Sequence, residues 1–199
     1  FPLVVAAGVF TVMTTWKRGR QILADRMASG SLPIDLFLQS LASRPPVRVP
    51  GTAVYMQGTP TGTPPALLHN LKHNKVLHER VIFLTVVTRD LPHVPEEERL
   101  ELEEIGHGVF RLKLYYGFME DPDVPAALRQ CRSHGLVFPP METSYFLGRE
   151  TLIPSRRRRG MAIWREALFS FLSRNAQRAT AYYRIPPNRV IELGAQIEL

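Results

Sequence analysis

Cysteine is almost missing from this chain. One residue in 199, Cys131, excludes an internal disulfide framework and fits a reducing compartment. Long apolar runs are missing after Arg20, so no later segment has the length to cross a bilayer. Acidic residues are the minority: 18 Asp and Glu against 25 Lys and Arg leave a net charge of +7. That balance suits nucleic acid, or an anionic lipid surface beside a membrane. Internal repeats and long low-complexity tracts are absent, which excludes a solenoid. There is no Gly-x-Ser-x-Gly nucleophile elbow and no P-loop lysine. The chain opens on Phe1 rather than Met, so it is expected to be a piece of a longer protein.

What is present begins with "FPLVVAAGVFTVMTTW", sixteen residues without a charge. As a helix they would span roughly 24 Å at about 1.5 Å per residue, slightly short of the about 20 residues that cross a bilayer core. Trp16 and then Lys17, Arg18 and Arg20 follow in the order expected at the cytoplasmic interface. A secretory signal would carry its charge before the apolar run and a small-residue cleavage site after it. Residues 1–16 are therefore expected to be the end of a transmembrane helix. The hydroxyls of Thr11, Thr14 and Thr15 are expected to bond back to their own helix or a neighbouring one.

Residues 19–28 extend that helix in polar form. "LPIDLFLQSLA" spaces Leu36, Phe37 and Leu41 as a short amphipathic helix, and "SRPPVRVPG" over 43–51 reads as a proline-rich linker. A strand is expected over 52–57. The loop "GTPTGTPP" follows, with Thr63 as helix cap and Pro64 at the first helical position. A helix then covers 66–74. Residues 80–88, "RVIFLTVVT", are apolar nearly throughout and predict a central strand buried on both faces. "RLELEEI" and "VFRLKLYYG" alternate around "GHG" and predict a hairpin, with Phe110, Leu112, Leu114 and Tyr116 on one face and Arg111 and Lys113 on the other. A helix with an acidic start should stop at Gly135, and a strand should cover 143–153. One long helix over 160–183 should carry the stripe Trp164, Leu168, Leu172, Ala176 and Ala179, before a final strand. The order predicts an α/β fold: a mixed β-sheet flanked by helices, preceded by part of a transmembrane helix.

The chemistry-bearing residues argue mostly for structure. His69 and His73 lie four apart on one helix face, but Asn70 stands where a His-Glu zinc motif needs its Glu, and no third ligand is spaced nearby. No metal site is expected. The loop residues Gly58, Thr59, Thr61, Gly62 and Thr63 sit between strand and helix, where phosphate loops occur, although Pro64 and Pro65 remove the N–H groups that would cradle an anion. They are kept as a candidate regulatory ligand loop. Arg156, Arg157, Arg158 and Arg159 form the sharpest charge run, without the recognition helix or interleaved aromatics of a nucleic-acid reader; the plain alternative is a solvated loop, which anionic lipid could face. Glu96, Glu97 and Glu98 look like an exposed acidic patch, and Cys131 like a structural thiol on a buried helix face. No catalytic set is found.

Four stretches carry a resemblance: "PGTAVYMQGTPTGTPPALLHNLKHNKVLHERVIFLTVVT", "YGFMEDPDVPAAL", "METSYFLGRETLIP" and "IPPNRVIELGAQIEL". In sequence and order they resemble the cytoplasmic tail of the KUP/HAK/KT potassium uptake permeases, over most of residues 50–199. "FTVMTTWKRGR" resembles the end of that family's last membrane helix. The resemblance implies a multi-pass carrier of the cell membrane that takes up K⁺, in bacteria with protons, and that needs no cofactor. It implies a membrane end over 1–16, juxtamembrane helices and linker over 17–49, and a cytoplasmic α/β domain over 50–199, with 17–199 all cytoplasmic. The partners implied are potassium, protons and the lipid bilayer, not nucleic acid; a homodimer stays open. The family's ion-coordinating residues belong to earlier membrane helices, so no transport residue is assigned here. The arginine run is heavier than the family pattern. The function implied is regulatory or assembly-related rather than enzymatic. The alternatives are a module that senses a cyclic dinucleotide or other nucleotide, and a membrane-anchored soluble enzyme.

Overall fold

Alternation with a period of two builds the centre of the molecule. The structure is a computed structural model that describes residues 1–153 and 160–198. Strands β1 (Val47–Met56), β2 (Val76–Arg89), β3 (Leu100–Gly106), β4 (Val109–Gly117), β5 (Thr143–Ile153) and β6 (Val190–Glu198) form one sheet in the order β3-β4-β2-β1-β5-β6. β4, β2, β1 and β5 are parallel neighbours, and β3 is antiparallel on β4. The predicted mixed sheet is thus present. β2 lies in its interior, and Val81, Ile82, Phe83, Leu84 and Thr85 are each no more than 1% exposed.

The helices are α1 (Pro2–Ser29), α2 (Ile34–Ser43), α3 (Pro65–Asn74), α4 (Val124–Gln130), α5 (Ile163–Asn175) and α6 (Ala179–Tyr182), and α2, α3 and α4 pack on the sheet. Phe37 and Leu41 of α2 and Leu67 of α3 pack on one face with Tyr55, Phe83 and Phe146. Val124, Ala127, Leu128 and Cys131 pack on the other with Ile82, Leu84, Leu112 and Leu114. Phe110, Leu112, Leu114 and Tyr116 share that second face, as the hairpin pattern predicts. Asp123 caps α4 by accepting from the Ala126 N–H at 2.8 Å, and Gly135 ends the following turn at φ +80°.

Several boundaries differ from expectation. β1 begins at Val47, inside the expected linker, because Pro50 and Gly51 fall at a register shift where a strand tolerates proline. Thr63 does not cap α3. Pro64 holds the cap position, the helix begins at Pro65, and the Thr63 hydroxyl is buried without a partner. The long helix expected over 160–183 is broken: α5 ends at Asn175, and α6 begins at Ala179. Its buried face carries Glu166, Phe169 and Ser170, while Trp164 is 59% exposed. The physical reason is the α1 surface. Gly19 leaves a flat spot filled by the Phe169 ring, so Phe169, not the Trp164 stripe, sets the rotation of α5.

Chain contacts divide the molecule into two units: Phe1–Gly30, Arg149–Gln177 and Gly194–Leu199 in one, Ser31–Gly148 and Arg178–Leu193 in the other. In the first, Trp16 packs on Phe169 with ring centroids 5.5 Å apart, and the Arg165 Nε donates to Thr15 Oγ1 at 3.0 Å. α1 is one continuous helix through the apolar stretch and its polar extension. Thr11 and Thr14 bond back to Ala7 and Phe10 carbonyls at 2.8 Å. Among the described residues, no helix is long and apolar enough to cross a membrane.

Candidate functional site

The loop that leaves β1 faces a groove of about 740 Å³ in the larger unit. Pro60, Thr61 and Gly62 form one wall, Pro33, Ile34, Asp35 and Leu38 at the start of α2 another, and Glu103, Ile105, Arg111 and Lys113 of the β3–β4 hairpin the floor. The loop is held to the chain before α2, because the Thr63 N–H donates to the Leu32 carbonyl at 2.9 Å and Gly62 takes φ +82° beside Ser31. Of the five candidate loop residues, Thr61 and Gly62 line the groove. Thr63 is buried behind it, and Gly58 and Thr59 are exposed.

The groove's electrostatics are balanced. The alternation of β4 puts Arg111 and Lys113 on the groove side, and the antiparallel register puts Glu103 and Glu101 opposite them. Both pairs close at 2.6 Å, and the Tyr115 hydroxyl donates to Glu101 at 2.6 Å. The Lys113 ammonium, followed by the Tyr115 hydroxyl, holds the Glu101 carboxyl below its ordinary range. An incoming anion would have to compete with these carboxylates for both cations. The start of α3 offers it little: Pro65 has no N–H, and the Leu67 N–H already donates to the Pro64 carbonyl at 3.0 Å.

A second polar cluster ties the chain together beyond the ends of β2 and β4. Glu120 accepts from the Gly117 N–H at 2.6 Å and the Val94 N–H at 3.1 Å, and pairs with Arg99 at 2.6 Å. The Arg99 guanidinium, then the Gly117 N–H, brings the Glu120 carboxyl down to about 2. Gly117 runs so close to Pro92 that a Cβ there would overlap the Pro92 carbonyl. These contacts tie the loops that follow β2 and β4 to one another.

The remaining candidates are dispersed. His69 and His73 are exposed on α3 with stacked rings 6.2 Å apart, and among the described residues no three His, Cys, Asp or Glu side chains gather into a metal-sized group. Between them Asn70 is buried. Its amide donates to the Val76 carbonyl at 3.2 Å and accepts from Asn74 at 2.8 Å, fixing the turn into β2. Glu96, Glu97 and Glu98 are an exposed turn, in which Glu98 pairs with Arg89 at 2.6 Å. Cys131 is fully buried, and burial pushes its thiol up to about 11. Arg156, Arg157, Arg158 and Arg159 lie outside the described residues.

The family described as the K+ potassium transporter C-terminal domain matches residues 50–199. The chain belongs to that family. It is a family of transporter domains rather than of enzymes. Over all of its 199 residues the chain is 61% identical to the "Probable potassium transport system protein Kup" of Myxococcus xanthus. It is 58% identical to the protein so named in Azoarcus sp., and 54% to that of Pseudomonas aeruginosa strain UCBPP-PA14. It spans 30–31% of the length of these relatives. No solved structure matches it.

Proposed function

We propose that this chain is the cytoplasmic C-terminal part of a potassium uptake transporter, coupled to protons, and that it supports folding, assembly or regulation of the carrier without conducting the ion. The observation that carries this is similarity, over all of this chain, to the named potassium transport proteins, together with the family match over 50–199. On this view residues 1–16 end a membrane helix of a multi-pass protein, and residues 17–199 lie in the cytoplasm, with 17–49 as juxtamembrane helices and linker. Coordinating a desolvated K⁺ takes several oxygens converging inside the membrane. The apolar stretch offers only three hydroxyls, of which Thr11 and Thr14 bond their own helix and Thr15 accepts from Arg165. The domain then acts on abundance or on the balance between carrier states. The test is K⁺ uptake by the full-length carrier in cells lacking other uptake systems. Deleting residues 50–199 should change maximal rate or abundance more than apparent K⁺ affinity. A large loss of affinity at unchanged rate and abundance would overturn this division of labour.

A second role has one observation in its favour: the groove beside Thr61 and Gly62 has a ligand-sized volume and two cations on its floor. A cyclic dinucleotide or other nucleotide would bind there as a regulator. Calorimetric titration with a cyclic dinucleotide tests it, and heat that survives Arg111→Gln and Lys113→Gln together would rule the groove out. Self-association as a homodimer is tested by sedimentation over a range of concentrations.

A further inference from the structure

The excess charge is confined to one unit. Phe1–Gly30, Arg149–Gln177 and Gly194–Leu199 hold eleven Lys and Arg against four Asp and Glu, whereas Ser31–Gly148 and Arg178–Leu193 hold fourteen of each. The whole +7 therefore falls in the segments grouped with α1; four of their eleven cations, Arg156 to Arg159, lie outside the described residues. In that same unit α5 buries Phe169 against α1, beside Glu166 and Ser170, while its opposite side exposes Ile163 at 54%, Trp164 at 59% and Phe171 at 57%, with Ala167 between them. The contacts that hold α5 fall between Thr15 and Ile22 of α1: Thr15 with Arg165, Trp16 and Gly19 with Phe169, and Ile22 in one cluster with Met161. An open groove of about 1090 Å³ runs along the start of α5, with Arg18 and Arg165 beside Ile163 and Trp164.

We propose that α5 is an interfacial helix. Its outer face, Ile163, Trp164, Ala167 and Phe171, rests in the headgroup region of an anionic bilayer leaflet, and the Arg18–Arg165 groove takes a phospholipid phosphate. This rests on residues 1–16 being the end of a membrane helix. Given that, α5 is fastened to α1 where the apolar stretch gives way to Lys17, Arg18 and Arg20, which is the level of the headgroups. A helix that lies in the interface carries aromatic and aliphatic residues on one face and cations nearby, and gains from both acyl contact and anionic lipid. Guanidinium groups suit a phosphate because they present paired donors to its oxygens. An indole beside them suits the boundary between headgroup and chain.

The test uses the 199-residue chain reconstituted in vesicles of phosphatidylcholine, or of phosphatidylcholine and phosphatidylglycerol in equal parts, with or without bromine-labelled acyl chains. Trp16 and Trp164 are the two tryptophans, so Trp16→Phe leaves Trp164 as the reporter and Trp164→Phe leaves Trp16. The expected result is that bromolipid quenches both reporters, and that Trp164 is quenched more strongly when phosphatidylglycerol is present. Arg18→Gln should weaken the docking equilibrium read from Trp164 by about fivefold, the effect of one cation near an anionic surface. Quenching of Trp16 with Trp164 still open to acrylamide would overturn the docking of α5 and leave the membrane helix standing. Quenching of neither would remove the membrane helix, and the inference with it. A Trp164 shielded from acrylamide but untouched by bromolipid would mean a second copy of the chain covers this face, which overturns the proposal. Quenching indifferent to phosphatidylglycerol and to Arg18→Gln would overturn the phosphate site.

Discussion

Replacing Glu120 by Gln should cost the chain about 2 kcal/mol at neutral pH, from the loss of one ion pair and two charge-assisted N–H bonds. The carboxylate accepts from Gly117 N, Val94 N and Arg99 Nη2, and the Arg99 and Glu120 side chains are only 14% and 15% exposed. Solvent therefore screens the pair only partly. Gln keeps the shape but turns an amide toward Arg99 or toward the N–H groups, leaving one side unsatisfied. The pH dependence has a fixed sign. The Glu120 carboxyl sits at about 2 in the folded chain, below its ordinary 4.5, because Arg99 and then Gly117 favour the ionised form. The carboxylate's contribution is complete above about pH 5, is roughly half gone near pH 3 and vanishes toward pH 2, as the folded state takes up its proton. Wild type and Glu120→Gln should thus differ in urea midpoint at pH 7 and converge on acidification. Amide exchange at Gly117 and Val94 should accelerate in the variant. A difference that stays constant from pH 7 to pH 3, or a neutral-pH difference below about 0.5 kcal/mol, would refute the assignment.

Gly117→Ala should destabilise the chain by about 1–3 kcal/mol through overlap with the Pro92 carbonyl. Gly148→Ala, where a Cβ meets nothing within 4 Å, is the control for urea denaturation. Gly19→Ala should drive the Phe169 ring off α1, at a similar cost of about 1–3 kcal/mol, and Phe169→Leu should recover part of it; near-ultraviolet circular dichroism of the Trp16–Phe169 pair reads the displacement. The Cys131 thiol, pushed up to about 11 by burial, should react with an aromatic disulfide at pH 8 at least about a hundredfold more slowly in the native chain than in urea.

The sheet was legible because its residues decide locally. The apolar run of β2 can be satisfied only where both faces are covered, and the alternation of β3 and β4 around Gly106, His107 and Gly108 admits one pairing. Asp123 and Gly135 mark their helix ends by their own chemistry. The rotation of α5 was not legible, because apolar residues occur all round it. The choice of Phe169 over Trp164 depends on Gly19, 150 positions away in the sequence. The groove was half legible. Thr61 and Gly62 stand out as a strand-to-helix loop, but Asp35, Glu103, Arg111 and Lys113 reach the same place only through the packing of α2 and the hairpin. Asn70 hid between His69 and His73, which draw attention as ligands while the amide carries the turn.

The charge division bears on what each half of the chain can recognise. In the larger unit at least seven of the fourteen cations have internal work: Arg48 donates to the His78 and His107 carbonyls and Arg80 to the Val137 carbonyl, while Arg89, Arg99, Arg111, Lys113 and Arg184 are paired with carboxylates. A unit with equal numbers of each sign, five of each closed into ion pairs, has little long-range pull on an anion. It is suited to short-range recognition, where shape and a displaced ion pair decide. The segments grouped with α1 carry the entire surplus in sequence, and their described part exposes Ile163 and Trp164 beside Arg18 and Arg165. Attraction there acts over about a Debye length and does not require a preformed pocket, which suits an extended anionic surface better than a small soluble ligand. Raising the ionic strength should therefore weaken the anionic-lipid preference of Trp164 quenching while leaving the urea midpoint of the larger unit nearly unchanged. Equal salt sensitivity of the two would mean that the surplus cations stabilise the fold instead of recognising a surface.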